Sequence, residues 1–194
     1  YYKKIGEYEN AIKDFKKGLT LKPEEEEDFY FHLAYCYEEL GIYDKSIQNY
    51  SELIKLDSLD HKVYNNLAHI YTEYIKDYNK ALGYFNKVIE INPNNGIYFL
   101  NRANLLADNL NEYDKALRDY NRAIELEPAN PDFYYDRGRF YEFHKEDYKN
   151  AIKDFEKGLT LKPEHIGFYF QLAYSNGNLE QYDEAILNYL NLIK

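Results

Sequence analysis

The sequence of 194 residues contains no methionine, no tryptophan and a single cysteine, Cys36. One cysteine excludes an intramolecular disulfide, and a chain without disulfides suits a reducing compartment. No run of about 18 consecutive apolar residues is present, which excludes a transmembrane helix of the usual kind. We therefore expect a cytoplasmic location, although the missing methionine also suggests a piece of a longer chain whose targeting signals lie elsewhere.

Positive charge is also in short supply. Lysine and arginine number 24 against 34 aspartate and glutamate residues, for a net charge of -10. Nucleic acids and anionic membranes require a clustered positive surface, so we expect neither as a partner. An acidic surface is better suited to protein partners, and to basic ones in particular. The acidic run at 24–28 is interpreted first as a solvated helix start that complements the helix dipole.

The residue patterns of catalytic and metal sites are missing too. Five histidines are scattered at positions 32, 61, 69, 144 and 165. His61 and His69 share a predicted helix, but eight residues separate them by roughly 12 Å, too far for direct ligation of one metal. There is no Cys-x-x-Cys, no glycine-rich phosphate loop and no nucleophile elbow. We predict no catalytic residues, no metal and no cofactor.

A repeated motif fills the whole chain. Tyr-x-x-Ala, with Ser in one copy, recurs every 34–35 residues, at Tyr8/Ala11, Tyr43/Ser46, Tyr78/Ala81, Tyr113/Ala116, Tyr148/Ala151 and Tyr182/Ala185. An aromatic residue follows each motif, namely Phe15, Tyr50, Phe85, Tyr120, Phe155 and Tyr189. Eight residues further on stands Pro23, Pro93, Pro128 or Pro163, with Ser58 as the exception. A fixed period of this size indicates one supersecondary unit stacked repeatedly.

The clearest unit begins near Asn130. Tyr134, Gly138 and Tyr141 recur at three- and four-residue steps, which places them on one helical face. A second helix begins at Tyr148 and ends before a proline, because proline cannot extend the hydrogen-bond ladder. The unit is therefore a pair of helices joined by a tight turn. We expect Gly138 to face Ala151 across the pair, since small side chains let two helices approach closely.

These residues resemble the tetratricopeptide repeat family, whose pattern is W-x2-L-G-x2-Y, then A-x3-F, then P. Tyr134-x2-Arg137-Gly138-x2-Tyr141, Ala151-x3-Phe155 and Pro163 match it, with Tyr for Trp and Arg for Leu. The resemblance implies an all-α fold, a right-handed α-solenoid of stacked antiparallel helix pairs. A single array over 1–194 would then hold repeats at about 1–25 (partial), 27–60, 61–94, 95–129, 130–164 and 165–194. The predicted helices are 8–21, 27–40, 43–56, 61–75, 78–91, 96–110, 113–126, 131–144, 148–161, 166–179 and 182–193.

A longer repeat lies over the short one. The segments at 11–15 and 18–23 return unchanged at 151–155 and 158–163, an offset of about 140 residues or four short units. Duplication of a four-repeat block is the simplest explanation, and it favours a longer parent array. Because the last helix is apolar and no polar capping helix follows it, we also expect self-association through the array ends.

In arrays of this family the first helix of each pair lines a concave groove that binds peptides or partner segments. The resemblance therefore implies that the residues one and five positions after the first-helix aromatic face a ligand: Phe31, Tyr35, Asn65, His69, Leu100, Asn104, Tyr135, Arg139, Phe170 and Tyr174. Aromatic and amide side chains suit capture of a polypeptide. The alternative is that these aromatics only pack between repeats. Some members of this family grip a C-terminal carboxylate with a clamp of lysine, asparagine and arginine. The corresponding positions here supply no pair of cations, so a C-terminal carboxylate is not the expected ligand.

The leading functional hypothesis is a non-catalytic scaffold that binds a protein or peptide. One alternative is an RNA-binding module of the pentatricopeptide type, whose unit also has 35 residues. That type needs a basic groove, which the negative net charge disfavours. A second alternative is a regulatory repeat region of a larger enzyme, which only the full-length gene would decide.

Overall fold

The computed structural model describes residues 7–56 and 59–192. They form eleven α-helices and, within these ranges, no β-strand. The prediction of an all-α solenoid built from helix pairs is confirmed. The chain divides into two compact units, the first ending at Pro93 and the second beginning at Asn94. Among the described residues, no helix combines the length and the apolar character that crossing a bilayer requires.

The first unit contains five helices, each packed on its neighbours in chain order. They are α1 (Tyr8–Leu21), α2 (Glu26–Glu39), α3 (Tyr43–Leu56), α4 (His61–Ile70) and α5 (Tyr78–Ile91). A short 3-10 turn at Pro23–Glu25 precedes α2, and a π-helical turn at Tyr71–Ile75 extends α4. The pairs α2/α3 and α4/α5 are complete repeats of the predicted kind.

The second unit contains six helices, also packed in chain order. They are α6 (Gly96–Asn104), α7 (Tyr113–Leu126), α8 (Pro131–His144), α9 (Tyr148–Leu161), α10 (Ile166–Asn178) and α11 (Tyr182–Asn191). A π-helical turn at Leu105–Asn109 extends α6. The first helices of successive pairs also touch, α6 against α8 and α8 against α10. Most observed helix ends lie within one residue of the predicted ones, and predicted position 193 lies outside the described residues.

The helix ends follow the capping and proline signals of the sequence. Side-chain oxygens of Asp60, Asn95 and Asn130 accept hydrogen bonds from the backbone N–H two residues later, which satisfies a free donor of the first turn. The residues before Pro23, Pro93, Pro128 and Pro163 all leave the helical region, with φ between -132° and -140°. The predicted proline stops are confirmed, while Ser58 lies outside the described residues.

The turn inside each pair has two lengths. In the shorter form it closes with a bond across five positions, from Ile42 N to Tyr37 O at 2.8 Å and from Gln181 N to Asn176 O at 2.9 Å. In the longer form it closes across six, from Asp147 N to Tyr141 O at 2.9 Å and from Glu112 N to Leu106 O at 2.8 Å. The extra residue is thus absorbed where the first helix ends, and the core face keeps its register.

Small residues allow close packing inside each pair. Ala34, Ala68, Ala103 and Ala173 are all at most 1 % exposed. At Gly138 the three atoms nearest to an added Cβ all belong to the ring of Phe155, and whether Gly138 also faces Ala151 stays a prediction. Phe155 is fully buried and occupies the space that an alanine side chain fills in the other pairs.

The second-helix aromatic alternates between phenylalanine and tyrosine. Phe15, Phe85 and Phe155 each contact a ring on a neighbouring first helix, namely His32 at 5.1 Å, His69 at 5.7 Å and Tyr135 at 6.0 Å between centroids. Tyr50 and Tyr120 make such ring contacts too, and in addition they use their hydroxyls. The Tyr50 hydroxyl accepts from Asn66 at 3.0 Å, and that of Tyr120 donates to Asn104 at 2.6 Å.

Two arginines that replace the family's leucine form buried ion pairs. Arg137 in α8 makes two parallel hydrogen bonds to Asp154 in α9, at 2.8 and 2.6 Å, and a third to Asn121 at 2.6 Å. Arg102 pairs in the same bidentate way with Asp119, with both distances 2.7 Å. Each ion pair joins the two helices of one repeat. Arginine in place of the family's leucine at position 137 therefore serves to hold α8 and α9 together.

Glu142 is a buried carboxylate between first helices. Its side chain is 2 % exposed, and Oε1 accepts a 2.6 Å hydrogen bond from Ser175 on α10. Oε2 is buried and, within the described part of the chain, has no hydrogen-bond partner. Burial raises the pKa of this carboxyl above its ordinary value, and the bond from Ser175 offsets only part of the rise.

We predict that Glu142 lowers stability increasingly as the pH rises. A carboxyl with a raised pKa in the folded state favours folding when protonated, and this contribution disappears as the pH rises from the unfolded pKa through the folded one. The Glu142→Gln variant should therefore gain stability relative to the wild type between pH 4 and pH 8. Urea unfolding at several pH values measures the difference. Glu156→Gln, at an exposed position, controls for net charge, and a difference that does not grow with pH contradicts the prediction.

Candidate functional site

The structure places the predicted ligand-facing residues on first helices with very different exposure. In the first unit Phe31, Tyr35, Asn65 and His69 are all half-buried. In the second unit Arg139, Phe170 and Tyr174 are exposed, and Asn104 and Tyr135 are half-buried. Leu100 is only 9 % exposed, so it offers little surface to a ligand.

A polar cleft in the second unit brings two of these residues together. It encloses about 260 Å³ between α6, its π-helical extension and α8, and we call it the polar cleft. Its lining consists of Asn104, Asp108, Tyr120, Asp136, Arg139, Phe140, Phe143 and His144. Asn104 and Arg139 occupy equivalent positions in adjacent repeats. The structure therefore brings two of the predicted ligand-facing residues into one cleft.

A hydrogen-bond network organises the base of the polar cleft. The Tyr120 hydroxyl donates to Asn104 Oδ1 at 2.6 Å, and the Asn104 side chain also hydrogen-bonds Asp136. Burial raises the pKa of Asp136, and the hydrogen bond from Asn104 counteracts part of that rise. Burial also raises the pKa of Tyr120 strongly, so its hydroxyl stays protonated and keeps its role as donor. Asn104 is thus held in one orientation by neighbours on both sides.

The rim of the cleft carries residues that sequence reasoning missed. His144 Nε2 lies 2.8 Å from Asp108 Oδ1, which joins the ends of two neighbouring first helices. The His144 ring also packs against Tyr113 and Phe140, with centroid distances of 5.2 and 5.8 Å. Asp108 and Phe143 follow the predicted Asn104 and Arg139 by four residues. Extending the predicted face by one helical turn would have found both.

An exposed aromatic patch adjoins the cleft. We define it as Arg139, Phe143 and Tyr174. The Arg139 guanidinium lies 5.3 Å from the centre of the Phe143 ring, and the Phe143 and Tyr174 rings are stacked at 6.5 Å and 28°. Phe143 is 54 % exposed and Tyr174 is 40 % exposed. Two such large rings side by side on the surface, next to a cation, are typical of protein contact sites.

Tyr135 belongs to the core more than to the binding surface. Its ring contacts Phe155, Phe168 and His165, with centroid distances of 6.0, 5.4 and 5.7 Å. It packs against the buried cluster that includes Ala151 and Phe155. Tyr135 therefore fits the alternative given in the sequence analysis, in which some of these aromatic residues pack between repeats. Arg139, one turn further along α8, has no comparable burial.

The first unit has a smaller and more acidic cleft. It encloses about 240 Å³ and is lined by Glu27, Asp28, Phe31, Leu53, Asp60 and Lys62. Of the predicted ligand-facing residues, Phe31 lines this cleft. The acidic residues at the start of α2 therefore lie beside an aromatic side chain.

His69 lies outside this lining. Its ring is edge-on to Phe85, and burial lowers the pKa of the His69 ring, which favours the neutral form.

Groups of acid, histidine and cysteine side chains that would suit a metal do not occur in the ranges 7–56 and 59–192. Cys36 is buried in the first unit. The buried carboxylates described above pair with arginine, asparagine or serine. The surfaces described here offer hydrogen bonds and aromatic contacts.

Comparison with known proteins identifies the repeat. Three family models, described as "Tetratricopeptide repeat" or "TPR repeat", match the sequence. One of them matches residues 1–25, 27–58, 61–95 and 131–165, and the others match 84–118 and 109–142. No curated protein matches the sequence.

Solved structures share the fold at low sequence identity. MamA from Desulfovibrio magneticus RS-1 is 19 % identical with a TM-score of 0.75, over 87 % of this chain and 94 % of that one. PilW, described as a type IV pilus biogenesis factor, is 16 % identical with a TM-score of 0.80, over 98 % and 87 %. YrrB, described as a repeat protein with an unusual peptide-binding site, is 20 % identical with a TM-score of 0.67, over 86 % and 84 %. At these identities the likeness shows the fold alone.

Proposed function

Because the chain belongs to the tetratricopeptide repeat family, we propose that it is a non-catalytic scaffold whose first helices bind a peptide or an extended segment of a partner protein. The observation that carries the proposal is the aromatic patch of Arg139, Phe143 and Tyr174 beside the polar cleft. Exposed rings supply apolar contact area at small entropic cost, and the fixed Asn104 side chain supplies hydrogen bonds to a polypeptide backbone.

Charge supports a partner with basic residues. The polar cleft contains Asp108 and Asp136 against one arginine, Arg139, and the cleft of the first unit contains Glu27, Asp28 and Asp60 against one lysine, Lys62. A lysine or arginine side chain of the partner would find carboxylates next to a ring in either place. The description of YrrB mentions a peptide-binding site, which supports a peptide as the ligand. A cytoplasmic location stays an expectation from the sequence.

The patch is tested by selecting ligands without assuming their identity. A random 12-residue peptide library is displayed on phage and enriched on the full chain, and fluorescence titration then measures the affinity of the enriched peptides. We predict that Arg139→Ala, Phe143→Ala and Tyr174→Ala each weaken binding about tenfold or more, as expected of interface anchors. Because the three side chains are exposed, the free energy of unfolding should change by no more than about 0.5–1 kcal/mol.

A matched control lies on the second helix of the same repeat. Lys153→Ala and Lys157→Ala also change exposed long side chains, and they should leave peptide affinity unchanged. Peptides that bind the patch variants as tightly as the wild type would refute the proposed surface. Random single-stranded RNA is titrated in parallel at low salt. Submicromolar RNA binding that weakens steeply with salt would favour the RNA-binding alternative instead.

A further inference from the structure

A cleft in the first unit is not part of the proposed peptide-binding surface. It encloses about 340 Å³ where α1, α2 and α3 meet, and none of the predicted ligand-facing residues lines it. Its lining includes Lys16, Leu33, Tyr37, Lys45, Asn49 and Glu52, and we call it the lysine cleft. A volume of this size is at the lower end of the range found for small-molecule sites.

Two ammonium groups of the lysine cleft lie near the same aromatic ring. Lys16 Nζ on α1 is 5.7 Å and Lys45 Nζ on α3 is 5.4 Å from the centre of the Tyr37 ring, which is only 5 % exposed. Among the residues that the structure describes, neither lysine forms an ion pair with a carboxylate. The carboxylate in the lining, Glu52, accepts from Lys55 at 2.8 Å instead. The cleft therefore presents two positive charges that no described carboxylate pairs with.

The corresponding junction of the second unit, where α7, α8 and α9 meet, is closed by an ion pair. Arg137 bonds there to both Asp154 and Asn121. The residues at the equivalent positions of the first unit are Leu33, Asn49 and Lys16. Asn49 donates its amide to the Lys45 carbonyl at 2.7 Å. The first unit therefore has cations at this junction but lacks the carboxylate of the Asp154 position, and its cleft leaves room for an anion from outside the chain.

The two lysines are not needed for the packing of these helices. The duplicated block gives the chain another copy of the junction in α9, α10 and α11, again with leucine and asparagine, at 172 and 188. In that copy Glu156 and Glu184 stand at the positions of the two lysines. Asn188 donates to the carbonyl four residues earlier at 2.9 Å, as Asn49 does. Because the fold accepts either charge here, the positive charge of the lysine cleft serves a purpose other than packing.

We propose that the lysine cleft binds a small organic phosphate, a phosphate monoester with an apolar or aromatic body. Arginines bind the buried carboxylates of this chain through paired hydrogen bonds, whereas lysine binds phosphate as a point charge. Two ammonium groups match the charge of a phosphate monoester, which is close to -2 at neutral pH. The Gln48 amide supplies a further donor, and Leu19 and Tyr30 offer the body of the ligand an apolar wall.

The proposal is tested by titrating the ¹⁵N-labelled full chain with phenyl phosphate and following the chemical shifts of its backbone amides. We expect saturable shifts that are largest at residues 16, 37, 45 and 48. The variant Lys16→Glu/Lys45→Glu carries the charges of the other copy, and its affinity should fall about tenfold or more. Lys153→Glu/Lys157→Glu makes the same change of net charge at exposed positions of α9 and should leave the affinity unchanged.

Benzoate distinguishes a phosphate site from a site for any anion, because it carries the same ring on a carboxylate. It should bind about tenfold more weakly than phenyl phosphate. Equal affinity for benzoate, an equal loss in both double variants, or shifts that do not saturate at the cleft would each overturn the proposal. Lys16→Gln/Lys45→Gln, which removes the charges without reversing them, should also weaken binding and keeps the test decisive if the reversal unfolds the protein. Thermal unfolding of each variant checks that the fold is retained.

Discussion

Replacing Arg137 by leucine is expected to destabilise the protein by about 3–5 kcal/mol at neutral pH, the cost of leaving one partner of a buried ion pair unpaired. Arg137 spans the two helices of its repeat through the bidentate bonds to Asp154, which is 4 % exposed. Burial already raises the pKa of Asp154 even with Arg137 beside it. Without the arginine the carboxyl must either stay charged in the core or take up a proton.

The chain itself supplies the control. Two other repeats have leucine and asparagine at these positions, Leu33 with Asn49 and Leu172 with Asn188. In both, the asparagine amide donates to the carbonyl four residues earlier on its own helix, at 2.7 and 2.9 Å. The double variant Arg137→Leu/Asp154→Asn should therefore recover most of the loss, because it installs an arrangement that this fold already uses.

Urea denaturation of the wild type, both single variants and the double variant measures the coupling between the two side chains. The loss in Arg137→Leu should shrink at acidic pH, since a protonated Asp154 needs no cation. A double variant that is as unstable as Arg137→Leu alone would mean that the arginine stabilises through Asn121 and its own packing. In that case the ion pair would not be the source of the effect.

The second large effect is expected at Gly138, where alanine should destabilise by roughly 1–3 kcal/mol through overpacking. Glycine to alanine inside a helix normally stabilises, because it reduces the entropy of the unfolded chain. At Gly138 the added Cβ would overlap the ring of Phe155, which is fully buried.

Gly83 in α5 provides the matched comparison. It also lies inside a helix, and an added Cβ there meets no atom within 4 Å. Gly83→Ala should therefore stabilise by about 0.4–1 kcal/mol. Thermal and urea unfolding of the two variants should show opposite signs. Two variants that both stabilise would show that Phe155 can shift and that the tight approach at Gly138 is not required.

The period of the sequence was sufficient to predict the fold. Each described second helix begins at the tyrosine of the Tyr-x-x-Ala motif, and those followed by a proline end two residues before it, because these residues act directly on the helix or its packing. The two π-helical turns were not predictable in this way. An extra residue is visible as a 35-residue step, but whether it enters the loop or widens the end of a helix depends on tertiary contacts.

The candidate binding surface was only partly predictable. The first-helix positions include Asn104 and Arg139, which line one cleft, and their contact with a ligand stays a prediction. Side-chain periodicity does not distinguish a ring that faces solvent from one that packs across to the next repeat, as Tyr135 does. Phe143 and Asp108 were missed because the family pattern ends before the last turn of the first helix. An ion pair such as that between Arg137 and Asp154 forms only where two helices pack together. The residue pattern of a single helix cannot predict it.

The alternation of phenylalanine and tyrosine at the second-helix aromatic gives the array a chemical period twice its structural one. Neighbouring repeats are alike in backbone but differ at the second-helix aromatic, with phenylalanine at 15, 85 and 155 and tyrosine at 50, 120 and 189. Loss of one repeat would set two units of the same kind side by side, whereas loss or gain of two preserves the order. The four-repeat block that the sequence duplicates contains an even number of units. Gain or loss of two repeats together, about 70 residues, therefore keeps the order of phenylalanine and tyrosine in the array unchanged.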